Sequence, residues 1–284
     1  EAEERGMTFP QFSTPPAAEP CVFCGKERVP HGLIHPLFDD TVMLWFTELK
    51  RCDCAEAVEH DAQADADAAR AEEERQREED ARLKAERVAA LVARSRIKPR
   101  FADKTFPTFI EDADNAHALR MARRYVETFD DRMVEGKGLY LVGDVGSGKT
   151  HLVHAIALAL LNSGVPVIVT NVIDMLSDLK KTYSGSGDES KVLREFQKVD
   201  VLVLDDFGKE PPTDWTLSIL FSLVNRRYED MKPVIITTQY DDIELVKRLA
   251  KNGDTQTAKA IVSRLHEVCY RVDCKGVDRR GENA

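Results

Sequence analysis

From Gly138 onward, short runs of β-branched and aliphatic residues alternate with amphipathic stretches. The runs are Leu139–Val142, Val165–Thr170, Val201–Leu204, Val234–Thr238 and Val268–Val272. Strands separated by helical segments predict a parallel sheet covered on both faces, hence an α/β fold with five strands between helices. Upstream the pattern changes twice. Residues 55 to about 96 contain no Gly or Pro and are dominated by Ala, Glu, Asp and Arg, a composition that predicts one long helix. Its inward candidates are mostly Ala until Leu83, Val88, Leu91 and Val92, so it reads as a solvated spacer. A coiled coil or partner-binding helix is the alternative, but heptads with real a and d residues are absent. Pro99 disfavours helical geometry at Lys98 and ends the helix. Residues 7–54, with the apolar run Val42–Phe46 and six of the twelve prolines, read as a small irregular module. The predicted organisation is a module at 7–54, a charged helical linker at 55–98 and an α/β domain at 99–284.

The chain has 284 residues, 43% of them hydrophobic, enough for one or two domains with real cores. No apolar run approaches the roughly 18 to 20 residues that span a bilayer; the best, Leu152–Leu161, is broken by His154. No membrane association is expected. The first residues, Glu1–Gly6, are charged rather than apolar, which predicts a cytoplasmic protein without a secretory leader. The net charge of −10 is uneven: up to Lys98 there are 14 Lys and Arg against 21 Asp and Glu, and 26 against 29 thereafter. The nearly neutral second part is compatible with a basic groove for single-stranded nucleic acid.

The octapeptide Gly143-Asp144-Val145-Gly146-Ser147-Gly148-Lys149-Thr150 fits the phosphate-loop pattern at every fixed position, between a predicted strand and a predicted helix. Its glycines allow backbone amides to turn around a triphosphate, and the helix N-terminus adds positive potential. Lys149 is expected on the β- and γ-phosphates of ATP, and Thr150 on Mg²⁺. The strand Val201–Leu204 ends in Asp205-Asp206: Asp205 is the candidate metal carboxylate, and Asp206 the candidate for orienting or deprotonating water. Gln239, at the end of Val234–Thr238, is placed to position that water if its strand lies between the other two; a strand-end cap is its alternative role.

Four of the six cysteines form Cys21-x-x-Cys24 and Cys52-x-Cys54, enclosing His31 and His35. A module this small needs a staple, and in a reducing compartment that staple is a metal. Four thiolates suit a structural Zn²⁺ with no open position. Replacement of one ligand by His31 or His35, or a set of free thiols, are the alternatives. Cys269 and Cys274, in and after an apolar strand, read as buried small hydrophobes. Lys180, Lys181 and Tyr183, before Ser184–Gly187, combine cations with an aromatic ring suited to a phosphate and a stacked base, or form a solvated face.

Residues 97–284 resemble the helicase-loader and transposition-helper ATPases of the AAA+ class. The resemblance rests on Ile97–Phe101 with Thr105-Phe106, the loop Gly143–Thr150, Val201–Gly208, Thr237-Thr238-Gln239, Ser263-Arg264-Leu265 and Asp278-Arg279-Arg280. Asp206 fits the family's second acid, and Gln239 stands where Asn is usual. The resemblance implies that Arg264 is an arginine finger acting on a neighbouring subunit's ATP, so that subunits assemble through a shared site. It implies further that Arg279 or Arg280 senses nucleotide and that Lys209, Thr213 and Trp215 contact single-stranded DNA; with so few residues after Arg280, the helical lid that many AAA+ proteins carry is expected to be lacking. Some such loaders carry an N-terminal zinc domain that engages a hexameric replicative helicase. Three functions are therefore in view: an ATP-driven helicase loader, a transposition helper that bends duplex DNA and recruits a transposase, and an adaptor switched by nucleotide without hydrolysis. The cysteine module favours the first over the second.

Overall fold

The computed structural model describes residues 16–37, 40–181, 189–251, 253–276 and 278, with the backbone alone over 32–37, 40–45 and 47. The chain divides into two compact units between Arg82 and Leu83.

In the first unit, β1 (Glu19–Pro20) and β2 (Glu27–Arg28) pair antiparallel around the turn that carries Cys21 and Cys24. Cys21 N donates to Lys26 O at 2.7 Å, and Gly25 N to Cys21 O at 2.9 Å, closing the turn. The following segment is more regular than its sequence suggested. β3 (Pro30–Leu37) and β4 (Asp40–Leu49) form an antiparallel hairpin with one register shift between Pro30 and Gly32. The run Val42–Phe46 is therefore ladder-forming strand, as its β-branched and aromatic content allows.

Helix α1 (Ala55–Arg94) starts directly after Cys54 and continues into the second unit. Its surface is laced with i,i+3 and i,i+4 pairs such as Arg75–Glu72 and Arg77–Glu73. Exposed pairs of this kind add only about 0.2–0.5 kcal/mol each, so composition rather than packing keeps this stretch helical.

The second unit holds a parallel sheet of β5 (Gly138–Val142), β6 (Val167–Asn171), β7 (Val201–Asp205), β8 (Val234–Thr238) and β9 (Cys269–Asp273), in the spatial order β6-β7-β8-β5-β9. Successive side chains enter opposite layers. Val201 and Val203 join Leu139 and Leu141 against α2 (Ala116–Glu127) and α4 (Lys149–Asn162), while Leu202, Leu204, Tyr140 and Ile236 face the other layer. That second layer is built by α5 (Val172–Lys181), α6 (Glu189–Lys198), α7 (Asp214–Glu229), α8 (Asp242–Leu249) and α9 (Thr255–Val268). A short helix, α3 (Phe129–Glu135), leads into β5. Burial on both faces explains the unbroken apolar runs of the sequence. Cys269 and Cys274 are buried among these side chains. Along the β6 edge, Val169 N donates to Ser95 O at 2.8 Å, so the residue after α1 takes up a backbone donor of the edge strand. Among the described residues no helix follows β9.

Candidate nucleotide site and thiol cluster

The strand order sets β8 between β5 and β7, which brings the C-terminal ends of all three together at one rim of the sheet. The phosphate loop connects β5 to α4 there. Gly148, the residue before α4, has φ 87, and a side chain on it would press within 3.0 Å of the Phe109 ring. Glycine meets both demands. Lys149 is buried at 8% exposure and donates to Gly143 O and Asp144 O, both at 2.7 Å. Burial pulls its ammonium below the usual lysine value.

Across the cleft, Thr150 Oγ1 lies 3.2 and 3.0 Å from the two oxygens of Asp205. The hydroxyl and the carboxylate thus converge, the arrangement that lets them share a divalent cation. Thr237 also donates its hydroxyl to Asp205, and the same oxygen accepts the Asp206 amide at 2.9 Å. Asp206 has φ 60 and points its carboxylate into the cleft, where Lys209 pairs with it at 2.7 Å. Gln239 lines the same cleft, its amide nitrogen donating to the Tyr240 hydroxyl at 2.8 Å.

The cleft measures about 830 Å³. The phosphate loop lines it together with Asp205, Asp206 and Gln239, and the segment before α2 adds Phe101, Lys104, Phe109 and Ile110. Of these four, the sequence named only Phe101, within the resemblance motif Ile97–Phe101. A signal existed in Phe106 and Phe109, aromatic residues in an irregular stretch upstream of the loop, but only folding sets the segment over Gly148. His154 was missed as well. It is buried beneath the cleft, its ring 4.3 Å from Phe101 and its Nδ1 2.7 Å from Thr150 O.

The remaining expected positions lie apart. Arg264, on α9, is not part of the cleft lining; its guanidinium rests 4.9 Å over the Phe221 ring and 5.8 Å from that of Tyr228. Lys180 lies 5.0 Å over the ring of Trp215, so two candidates from distant segments become neighbours. Lys181 pairs with Asp178 at 2.9 Å. Thr213 caps α7 by accepting the Thr216 amide. Tyr183, Arg279 and Arg280 lie outside the described residues.

In the first unit, Cys21, Cys24, Cys52 and Cys54 place their sulfurs within 4.8 Å of one another, with Cys21–Cys54 at 3.9 Å and Cys24–Cys52 at 3.5 Å. A tetrahedron of roughly 2.3 Å metal–sulfur bonds has edges of about 3.8 Å, so the set fits four-thiolate coordination. The backbone amides of Cys24 and Phe23 point at Cys21 and lower its thiol to about 7. The described cluster contains no histidine: the His31 ring lies 4.9 Å from Phe46, and the His35 side chain is outside the described residues.

Fold and phosphate loop define a nucleotide-binding protein of the AAA+ class. Within it, the chain belongs to the IstB-like ATP binding protein family, whose sequence model matches residues 47–283. The replicative helicase loader DnaC of Escherichia coli K12 is 32% identical over 160 residues, 56% of this chain and 64% of DnaC. The phage-like element PBSX protein XkdC of Bacillus subtilis is 31% identical over 168 residues, 56% and 59% of the two chains. The matched region thus spans less than two thirds of these relatives. Among solved structures, the DnaC helicase loader superposes with a TM-score of 0.54 at 28% identity, covering 63% of this chain and 100% of that one. DnaI gives 0.56 at 25% identity, covering 63% and 95%. No helix among the described residues is long and apolar enough to cross a membrane.

Proposed function

We propose that this protein is an ATP-hydrolysing loader that places a hexameric replicative DNA helicase on single-stranded DNA, working in the cytoplasm. The observation that carries this reading is the 32% identity with a replicative helicase loader over 160 residues, supported by a cleft whose residues suit a triphosphate.

Within residues 99–284, Lys149 exchanges the carbonyls of Gly143 and Asp144 for the β- and γ-phosphate oxygens, while the amides of the loop Gly143–Thr150 surround them. Thr150 and Asp205 are the residues that would hold Mg²⁺, which when bound would supply positive charge to the phosphate oxygens. Asp206 orients the attacking water and takes its proton, and the Gln239 amide fixes the water from the neighbouring strand. Phe109 and Ile110 offer an apolar face to the base. Arg264 acts on the ATP of an adjacent subunit, which ties hydrolysis to assembly, and Arg279 or Arg280 senses the nucleotide. Lys180 and Trp215, with Lys181, Tyr183 and Thr213 nearby in sequence, form the contact for single-stranded DNA. Residues 7–54 hold a structural Zn²⁺ on Cys21, Cys24, Cys52 and Cys54 and engage the helicase, and residues 55–98 link the two parts.

A second reading, a transposition helper ATPase, is favoured by the family description, IstB-like ATP binding protein. One experiment separates them. The tagged full chain is used with ATP to capture partners, and each captured partner is tested for transfer to circular single-stranded DNA or to duplex DNA. Capture and loading of a hexameric helicase, lost in Lys149→Ala, supports the loader. Capture of a transposase with duplex binding supports the helper, and loading that survives without hydrolysis in Asp206→Asn points to the nucleotide-switched adaptor.

A further inference from the structure

We propose that Lys209 is a second phosphate-binding cation of the cleft, one that exchanges Asp206 for the terminal phosphate of a nucleoside triphosphate. The inference rests on reading the cleft as an ATP site and adds how a triphosphate is told from a diphosphate.

The turn after β7 is fixed at every peptide. Asp206 at φ 60 and Gly208 at φ 94 both occupy the left-handed region. A side chain at position 208 would lie 2.7 Å from a methyl of Leu245 and 2.9 Å from the Tyr240 ring, so the turn requires glycine there. A non-glycine residue such as Asp206 persists in this conformation where its surroundings over-determine it. Here they do. Asp206 N donates to Thr237 Oγ1 at 2.9 Å, Phe207 N to Thr237 O at 2.8 Å, and Thr238 Oγ1 to Phe207 O at 2.8 Å. Gly208 N donates to Glu210 Oε2 at 2.9 Å, and Arg248 Nε to Gly208 O at 2.7 Å. With the backbone held, the freedom left in this turn belongs to side chains.

Two of those side chains face the cleft, and they hold each other. Lys209 Nζ lies 2.7 Å from Asp206 Oδ1, with the side chains 35% and 44% exposed. A half-exposed ion pair between near neighbours in sequence is weak. Its ammonium and that of Lys149 line the same cleft. An anion bound there can draw on both cations, and a terminal phosphate presents more charge and more acceptor oxygens than one carboxylate. When Lys209 turns to the phosphate, Asp206 loses its ammonium partner and becomes an acceptor available to water. A diphosphate lacks the group that draws Lys209 away. The pair therefore senses the third phosphate and arms the neighbouring acid in one exchange.

The test compares the affinities of the full chain for Mg·ADP and for a β,γ-methylene ATP analogue by calorimetry. Lys209→Met is expected to weaken the analogue about tenfold while changing ADP less than about twofold, and Lys209→Arg should recover most of the loss. Asp206→Asn, which frees Lys209 without altering it, should tighten the analogue, and that gain should shrink in the Lys209→Met background. Equal effects of Lys209→Met on both nucleotides, or an Asp206→Asn gain of the same size with and without Lys209, overturns the proposal while leaving the ATP site intact. Wild-type protein that binds neither nucleotide overturns the ATP-site reading and the exchange with it.

Discussion

Thr237 donates its hydroxyl to the Asp205 carboxylate and, through the same oxygen, accepts the amide of Asp206. One fully buried side chain on β8 thus orients both acids at the end of β7. Thr237→Val preserves shape and removes both bonds, leaving a carboxylate oxygen and an amide short of partners. The expected cost is about 1–3 kcal/mol in chemical denaturation. ATP turnover should fall further than ATP affinity, because Lys149 is untouched while the Asp206 turn loses an anchor. Turnover equal to wild type in a destabilised variant would show that Thr237 serves the fold alone.

If Arg264 works on a neighbour's nucleotide, Arg264→Ala subunits retain ATP binding and lose orders of magnitude in hydrolysis. Mixing them with Asp206→Asn subunits should partly restore turnover, since the second supplies an arginine to the first's intact acids. The recovery should rise with protein concentration. A mixture that stays inactive under assembling conditions counts against the shared site.

The thiol cluster predicts about one zinc per chain in freshly purified protein, measured by atomic emission. Cys21→Ser should lose the metal and expose residues 7–54 to protease, while nucleotide binding in the second unit persists. Protein that carries no metal, yet resists protease over this segment, removes the staple from the account.

His151 and His154 are held below the ordinary histidine value of 6.5, in both cases chiefly by burial. The unfolded chain takes up these protons near pH 6.5 while the folded one resists. Their contribution is therefore complete above that pH and is lost as the pH falls toward their folded values. Thermal melts from about pH 7.5 to about pH 5 should show this loss. His154→Gln should melt lower than wild type at the upper end and lose less on acidification. A parallel loss in both proteins assigns the effect to other groups.

How much of this was legible in the sequence depended on the range of the interaction. Strands buried on both faces have to be apolar throughout, so five runs announced five strands, and the phosphate loop announced itself because its glycines and lysine are contiguous. Composition alone carried α1, whose exposed pairs need no tertiary partner. The hairpin β3–β4 was hidden because Pro30, Gly32 and Pro36 mask its ladder, and pairing is a property of two segments. Tertiary structure decided what convergence decides. The strand order brought Thr150, Asp205 and Gln239 to one rim from residues far apart in the chain, and packing of the preceding segment over Gly148 added to the cleft's lining. Nothing local marks Arg227 either. It is buried at 1% exposure and donates to the carbonyls of Phe196, Gln197, Val199, Asp200 and Pro233, a role set entirely by where α6 ends and β7 and β8 begin against α7. Sequence specifies which residues are able to bind phosphate or be buried; the sheet's connectivity determines which of them meet, because side-chain chemistry acts over a few ångströms and the chain reaches those distances only by folding.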